Sequence, residues 1–490
     1  MFRVIQIGAM AVVLAVSTLF VFELDRFFVP KELVLHATAV IVGLIAIKRI
    51  QLTRIDWLLA GFLGLSAISA VFATNPWLAM RAVAISASGI LLFWAARTIG
   101  PRATHAVAIA IVLVAITSLL QTYGVYTQLF SENRAPGGTL GNRNFVAHAA
   151  AFGLPVLLFA AIRAQRSITF LLAACGSAMV TATLVLTRSR AAWLAFAAVV
   201  FVFLIGMMLR GDARAWRRLA GVMLLTGGGV AGALLLPNAL RWRSDNPYLE
   251  TLNRVASYQE GSGRGRLIQY VQSLKMAAHH PLFGVGPGNW SVRYPEHATK
   301  HDPSMSDTAG GTTTNPWPSS DWIAFISERG LAATILLGLA MLGIAMSAFQ
   351  REGLEGVTLF ATLAGAVIAG AFDAVLLLAL PTFLIWTALG ALSPPREGAN
   401  RVLVVAAVVI VSAIGVARSA AQLVAMQIYA TRSDRASLTR ASHIDPGNFR
   451  LQLRLSRMGN RRDRCEHALA ARALYPNSEA ARAAARGCER

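Results

Sequence analysis

Two short stretches carry paired arginines. Thr187-Arg188-Ser189-Arg190 sets two guanidinium groups two residues apart, and Gly261-Ser262-Gly263-Arg264-Gly265-Arg266 repeats that spacing. A guanidinium is a planar fork that grips phosphate oxygens with two hydrogen bonds. Arginines at a helix start also oppose the helix dipole, and a bound anion relieves that conflict. The blander readings are arginines snorkelling at helix ends and a solvated basic turn. A second group of residues could move protons. His279, His280, His297 and His301 share one stretch with Glu296 and Asp302, and Asp321 follows. No HxH or HExxH spacing occurs, which disfavours a metal. A general base drawn from His301, Asp302 or Asp321 is the better expectation. Gly284-Val285-Gly286-Pro287-Gly288 has the look of a dinucleotide loop. It follows a helical pattern rather than a strand, and Pro287 obstructs a helix start. A tight turn that lets backbone come close to another element is expected instead.

The elements that position these residues follow from composition. Of 490 residues, 56% are hydrophobic and 14% charged, against about 25% charged in a soluble domain. Apolar runs recur near 4–22, 33–47, 57–73, 79–96, 104–122, 145–162, 168–186, 191–209, 219–236, 332–348, 357–372, 375–392 and 402–418. Such runs read as membrane-spanning helices. The first is read as an uncleaved span, because Glu23 and Asp25 stand where a signal peptide needs small residues. The expected fold is all-α: a polytopic transmembrane bundle of about 12–13 spans with a large outer loop and a small helical tail. The division is 1–236, an N-terminal bundle; 237–331, a loop with interfacial helices; 332–418, a C-terminal bundle; and 419–490, the tail. A soluble enzyme, a secreted disulfide scaffold and a disordered chain are excluded. Leu267, Tyr270, Val271, Leu274 and Ala278 recur at helical spacing and predict an amphipathic helix on the bilayer surface.

The net charge of +21 points to nucleic acid only in a soluble protein. In a membrane protein it reflects insertion topology. With the N-terminus inside, the short inner loops hold 15 Lys and Arg, among them Arg210, Arg214, Arg351 and Arg396, and the outer ones hold 7. The outer cations are Arg26, Lys31, Arg81, Arg134, Arg143, Arg188 and Arg190. Topology gives no reason for Arg188 and Arg190, which makes them candidates for function. His36, His105 and His148 lie in or beside spans and read as packing or hydrogen-bonded residues.

Four stretches together resemble the O-antigen ligase and polymerase family of bacterial inner-membrane glycosyltransferases. They are Gly141-Asn142-Arg143-Asn144-Phe145-Val146-Ala147 with Pro155; Ser189-Arg190-Ala191-Ala192-Trp193-Leu194; Arg266 to Tyr270 with Pro281-Leu282-Phe283-Gly284-Val285-Gly286-Pro287-Gly288; and Phe372-Asp373-Ala374-Val375-Leu376 with Pro381 and Trp386. The resemblance implies transfer of a glycan from an undecaprenyl-pyrophosphate donor to lipid A-core, a growing glycan or a protein. It places that reaction at the periplasmic face of the inner membrane, in cell-surface polysaccharide biosynthesis, without metal, nucleotide or other cofactor. It implies that Arg190 and Arg266 hold the donor pyrophosphate, with Arg188 and Arg264 in support, and that Asn144 and Asp302 lie on the substrate side. One departure is plain. Where family ligases carry a histidine thought to activate the acceptor, this chain has Ser319-Ser320. Either Asp321, His301 or Asp302 takes the role, or the acceptor needs no histidine, or transfer is lost. In the last case the protein binds lipid-linked glycan or serves envelope assembly. A secondary transporter is a poorer reading, for no internal repeat is visible.

The tail holds 13 Arg and no Lys. Ala441-Ser442-His443-Ile444-Asp445-Pro446-Gly447-Asn448 and Ala473-Leu474-Tyr475-Pro476-Asn477-Ser478 look like two ends of tetratricopeptide helices with their Pro-Asn turns. A small docking module for a protein partner is expected. If it lies outside, Cys465 and Cys488 can bridge its helices. Cys175 sits in an apolar run and reads as an inert core residue.

Overall fold

The computed structural model describes residues 1–19, 25–242, 244–253, 261–394 and 398–488. The end of the first apolar run, Glu23 and Arg396 lie outside the described residues. Among the described residues the chain is helical nearly throughout, and two strands of two residues each pair Gln51 with Asn400.

Each apolar run holds a helix, although among the described residues the first run is helical only to Leu14 and 375–378 are not helical. The helices are α1 (Phe2–Leu14), α2 (Asp25–Ala46), α3 (Arg54–Val71), α4 (Pro76–Ile99), α5 (Thr104–Thr122), α6 (Arg143–Arg163), α7 (Ser167–Thr187), α8 (Arg190–Arg210) and α9 (Ala213–Leu235). The outer loop holds α10 (Pro247–Asn253), α11 (Gly261–His279) and α12 (Trp290–Arg293). Then follow α13 (Asp321–Gln350), α14 (Gly353–Phe372), α15 (Ala379–Leu392) and α16 (Val402–Thr431). The tail is α17 (Arg435–Ile444), α18 (Phe449–Leu455), α19 (Arg461–Leu474) and α20 (Glu479–Ala485). Among the described residues, 11 helices are long and apolar enough to cross a bilayer. α1 and α15 are shorter, with 13 and 14 residues, against about 20 for a full span. The protein is a multi-pass membrane protein.

Local chemistry sets the helix limits. Asn75 caps α4 by accepting from the N–H groups of Trp77 and Leu78, with Pro76 at the first helical position. Asn142 caps α6 in the same way through the N–H of Asn144. On the inner side, arginines satisfy the carbonyls that helix ends leave bare. Arg210 donates to the carbonyls of Phe349 (2.8 Å) and Arg351 (2.6 Å), and Arg218 to that of Ile162 (3.0 Å). α4 and α6 lie at the centre of the bundle, while α8 and α9 face mostly outward.

Two helices cross the expected boundaries. α13 begins at Asp321, well inside the expected loop, and bends at Gly330, whose φ of 80° and ψ of 172° only glycine adopts readily. α16 runs on to Thr431, so the tail starts later than residue 419. Cys175 is exposed on α7, not buried in the core. The outward face of a membrane helix meets lipid, and an apolar run does not tell that face from the core.

The tail helices are of unequal length, at 10, 7, 14 and 7 residues. Both Pro-Asn turns dock on the outer side of the bundle. Asn75 donates to the carbonyl of Gly447 (3.3 Å). Asn477 donates to the carbonyl of Val292 (3.1 Å) and to Glu296 (3.0 Å), and the N–H of Glu479 to the carbonyl of Gly310 (2.9 Å). The tail therefore shares a face with the long loop. A disulfide joins Cys465 to Cys488.

Candidate functional site

Three of the seven outer cations are held by structural partners. Arg26 donates to the carbonyls of Gln128 (2.7 Å) and Phe130 (3.2 Å), and Lys31 to those of Ala15 (2.7 Å) and Thr139 (2.8 Å). Arg81 is paired with Glu32. The turn between α7 and α8 is different. Arg188 sits there in the left-handed region, at φ 54°. That conformation costs a residue with a side chain on the order of 1 kcal/mol, and such strain clusters at functional sites. Its guanidinium reaches Thr251 (2.8 Å) and Glu250 (3.2 Å) on α10. It lies 4.7 Å from the Trp242 ring, and Arg143 lies 5.0 Å from the same ring. Arg190, half-buried, opens α8. Asn144 stands half-buried in the first turn of α6, next to Arg143.

α11 lies as expected for an interfacial helix. Leu267, Val271 and Leu274 are exposed on one side, and Gln269, Gln272 and Ser273 are buried on the other. The polar side fixes three distant segments. Gln269 donates to Ser304 (3.0 Å) and accepts from the N–H of Ser319 (2.7 Å). Tyr270 shares its hydroxyl hydrogen between the carbonyls of Ser319 (2.7 Å) and Ala371 (3.0 Å). Ser273 accepts from the Trp290 indole (2.8 Å). Arg264 is exposed and Arg266 half-buried on the first turns of this helix. Arg266 lies within electrostatic reach of His148 on α6.

The glycine turn approaches protein backbone. The N–H groups of Val285 and Gly286 donate to the carbonyls of Ser327 and Glu328, both at 2.9 Å, beside the bend of α13. A side chain at Gly286 would run into Ala73.

The residues expected to act as base serve other ends. Asp321 is fully buried at the start of α13. Its two oxygens accept from the N–H groups of Val375 (2.9 Å) and Leu376 (2.8 Å), in the non-helical link between α14 and α15. Such backbone is tolerated at membrane depth only where its polar groups are satisfied. Asp321 is thus an anchor, and its lone pairs are committed. Asp302 is also buried and engaged, accepting from Tyr294 (2.7 Å) and from the N–H of Ser304 (2.8 Å). Burial, and next the Asp302 hydrogen bond, push the Tyr294 phenol above its usual pKa. His301 is exposed, at φ 66°.

A different pair occupies the place beneath Arg266. His148, on the first turns of α6, is 1% exposed, and neither ring nitrogen has a hydrogen-bond partner among the described residues. The expectation of a satisfied packing histidine is corrected here. Its Nδ1 lies 3.8 Å from the Asp373 carboxylate, which ends α14 and keeps some exposure. The other oxygen of Asp373 accepts from the N–H of Ala374 (2.8 Å). The carbonyl of Ala371, two residues before Asp373, and that of Ser319 accept from the one Tyr270 hydroxyl. The available signal in sequence was a lone histidine within an apolar run, which in a membrane is a functional candidate by default.

Residues 175–338 match the family described as O-Antigen ligase. No curated protein gives a significant match to the chain. The matched segment runs from the middle of α7 into α13 and holds both arginine pairs, Tyr270, Ser319 and Asp321, but neither His148 nor Asp373.

Proposed function

From a multi-pass membrane chain with an O-antigen ligase domain over 175–338, we propose a metal-independent glycosyltransferase of cell-surface polysaccharide biosynthesis. It moves a glycan from undecaprenyl pyrophosphate to lipid A-core, a glycan or a protein. The reaction is at the periplasmic face of a bacterial inner membrane. The supporting observation is the placement of arginines. Arg188 and Arg190 at the α7–α8 turn, and Arg264 and Arg266 on α11, all lie on the outer-loop side of the bundle. Arg190 and Arg266 hold the pyrophosphate, and Arg188, Arg264 and Asn144 support them. Charge grows on the pyrophosphate oxygen as the glycosyl bond breaks, and fixed cations stabilise it there.

In this reading the acceptor hydroxyl oxygen bonds to the anomeric carbon. The carbon–oxygen bond to pyrophosphate breaks, and its electron pair leaves with the pyrophosphate. The acceptor proton passes to Asp373, with His148 behind it, in place of the histidine absent at Ser319. General-base assistance of this kind is worth about 10²–10⁴ in rate. Burial of Asp321 and Asp302 in structural bonds leaves the alternative of an inactive, glycan-binding member in play.

The test uses membrane vesicles with lipid-linked donor. Arg190→Ala and Arg266→Ala each lower transfer by about 10² or more, with normal insertion. Wild-type transfer in both overturns the proposal. Absence of pyrophosphate release from the wild-type protein with every acceptor assigns it to the binding role.

A further inference from the structure

The two tail turns close a hollow against the bundle and the loop. Its volume is about 320 Å³, in the range of small-molecule sites, about 300–1,000 Å³. Trp77 comes from α4, Arg418 and Gln422 from α16, Trp317 from the end of the loop, and Asn448 and Tyr475 from the tail turns. No single module makes this wall.

The lining is chemically mixed. The indole and phenol rings offer flat apolar faces, and the polar groups between them include both donors and acceptors. Each lining arginine has company: Arg418 donates to Gln422 (2.9 Å) and to the carbonyl of Trp77 (3.0 Å), Arg81 is bound to Glu32, and Arg450 lies within electrostatic reach of Asp25. A free phosphate or a lipid headgroup would find no uncommitted cation here, and a lipid tail would strand the polar groups. A polyol with ring faces suits both surfaces. Asp445 lines the hollow as well, accepting from Asn448 (2.8 Å) with the Trp77 indole beside it, so the amide of Asn448 and the Trp77 ring are held in place on this wall.

The hollow adjoins a smaller space deeper in the bundle. That space, of about 50 Å³, shares Arg81, Trp317 and Tyr475 with it and extends to Leu377, in the link that starts at Asp373. Trp317 packs edge-on against Phe28 at 5.1 Å and tilted against Phe145 at 6.4 Å. Phe145 is three residues before His148 on α6.

We propose that this tail-capped hollow binds a mono- or disaccharide unit of the acceptor, and presents it toward Asp373. The proposal rests on the transferase reading for the word acceptor, but the binding itself does not.

The test is saturation-transfer NMR on the full-length protein in detergent, with glucose, galactose, maltose and lactose as probes. At least one sugar receives saturation from the wild-type protein. Trp317→Ala weakens its binding at least tenfold. Where that variant melts early, Gln422→Leu carries the test, again with at least tenfold weaker binding at an unchanged melting temperature. Arg266→Ala binds the sugar like wild type although it transfers nothing. No saturation of any probe, or binding indifferent to Trp317→Ala and Gln422→Leu, overturns the saccharide site. Sugar binding by an Arg266→Ala protein that transfers like wild type overturns the role given to Arg266, and sugar binding by a wild-type protein that releases no pyrophosphate overturns the transferase reading; either leaves the site standing.

Discussion

Asp321→Ala separates an anchor from a base. The carboxylate is fully buried and holds two backbone N–H groups, at 2.9 and 2.8 Å. Alanine leaves both donors bare in a low-dielectric interior. Each unsatisfied group costs about 1–3 kcal/mol, so the loss of folding free energy is about 4 kcal/mol. Asparagine restores one acceptor but turns an amide donor toward the second N–H, so a cost of about 2 kcal/mol remains. The assay is reversible unfolding in detergent, followed by helix content, with glycan transfer measured in parallel on the folded fraction. Stability falls in the order wild type, Asn, Ala, and the folded fraction of the Asn variant keeps most of its transfer. An Asn variant with wild-type stability and no transfer refutes the reasoning, because it makes the charge itself chemical.

Two further outcomes concern the outer side. The disulfide closes 23 residues of sequence, for which loop-closure entropy gives about 3 kcal/mol. Cys465→Ser with Cys488→Ser therefore makes α19 and α20 more sensitive to limited proteolysis while the spans stay intact; equal sensitivity counts against it. Burial holds the pKa values of His297 and His467 below the usual value. The unfolded chain then takes up protons first, so their contribution to stability is full above about pH 6.5 and is lost as pH falls below it. Amide exchange near 294–298 and along α19 quickens between about pH 7.5 and 5.5; exchange that slows on acidification, after correction for intrinsic rates, contradicts this.

Hydropathy made the bundle legible, since every apolar run holds a helix. It failed where charge is buried on a partner. Asp321, Glu328 and Arg329 are all buried in the first part of α13, and three charges made that segment look like loop. Glu328 accepts from the N–H groups of Gly288 and Trp290, and Arg329 donates to Ser66 and Ser86. Those partners are more than thirty residues away and invisible to a local window. Arg188 and Arg190 stood out in sequence because insertion topology gives no reason for cations there, and Arg264 and Arg266 because they open a helix. The pair proposed to accept the proton did not stand out. His148 and Asp373 are 225 residues apart in sequence, and only the packing of α6 on α14 puts them together. The acidic residues that spacing favoured, Asp302 and Asp321, turned out to be spent on backbone and phenol groups.

The tail turns meet Asn75, Val292 and Gly310, so helices made late touch segments made much earlier. The arginine turn and α11 are complete in the nascent chain long before Asn448 and Tyr475 arrive. A chain stopped before α17 would carry both arginine pairs but lack one wall of the hollow. On the proposed reading, arrival of the tail helices is the step that separates a chain able to hold donor from one able to seat both substrates.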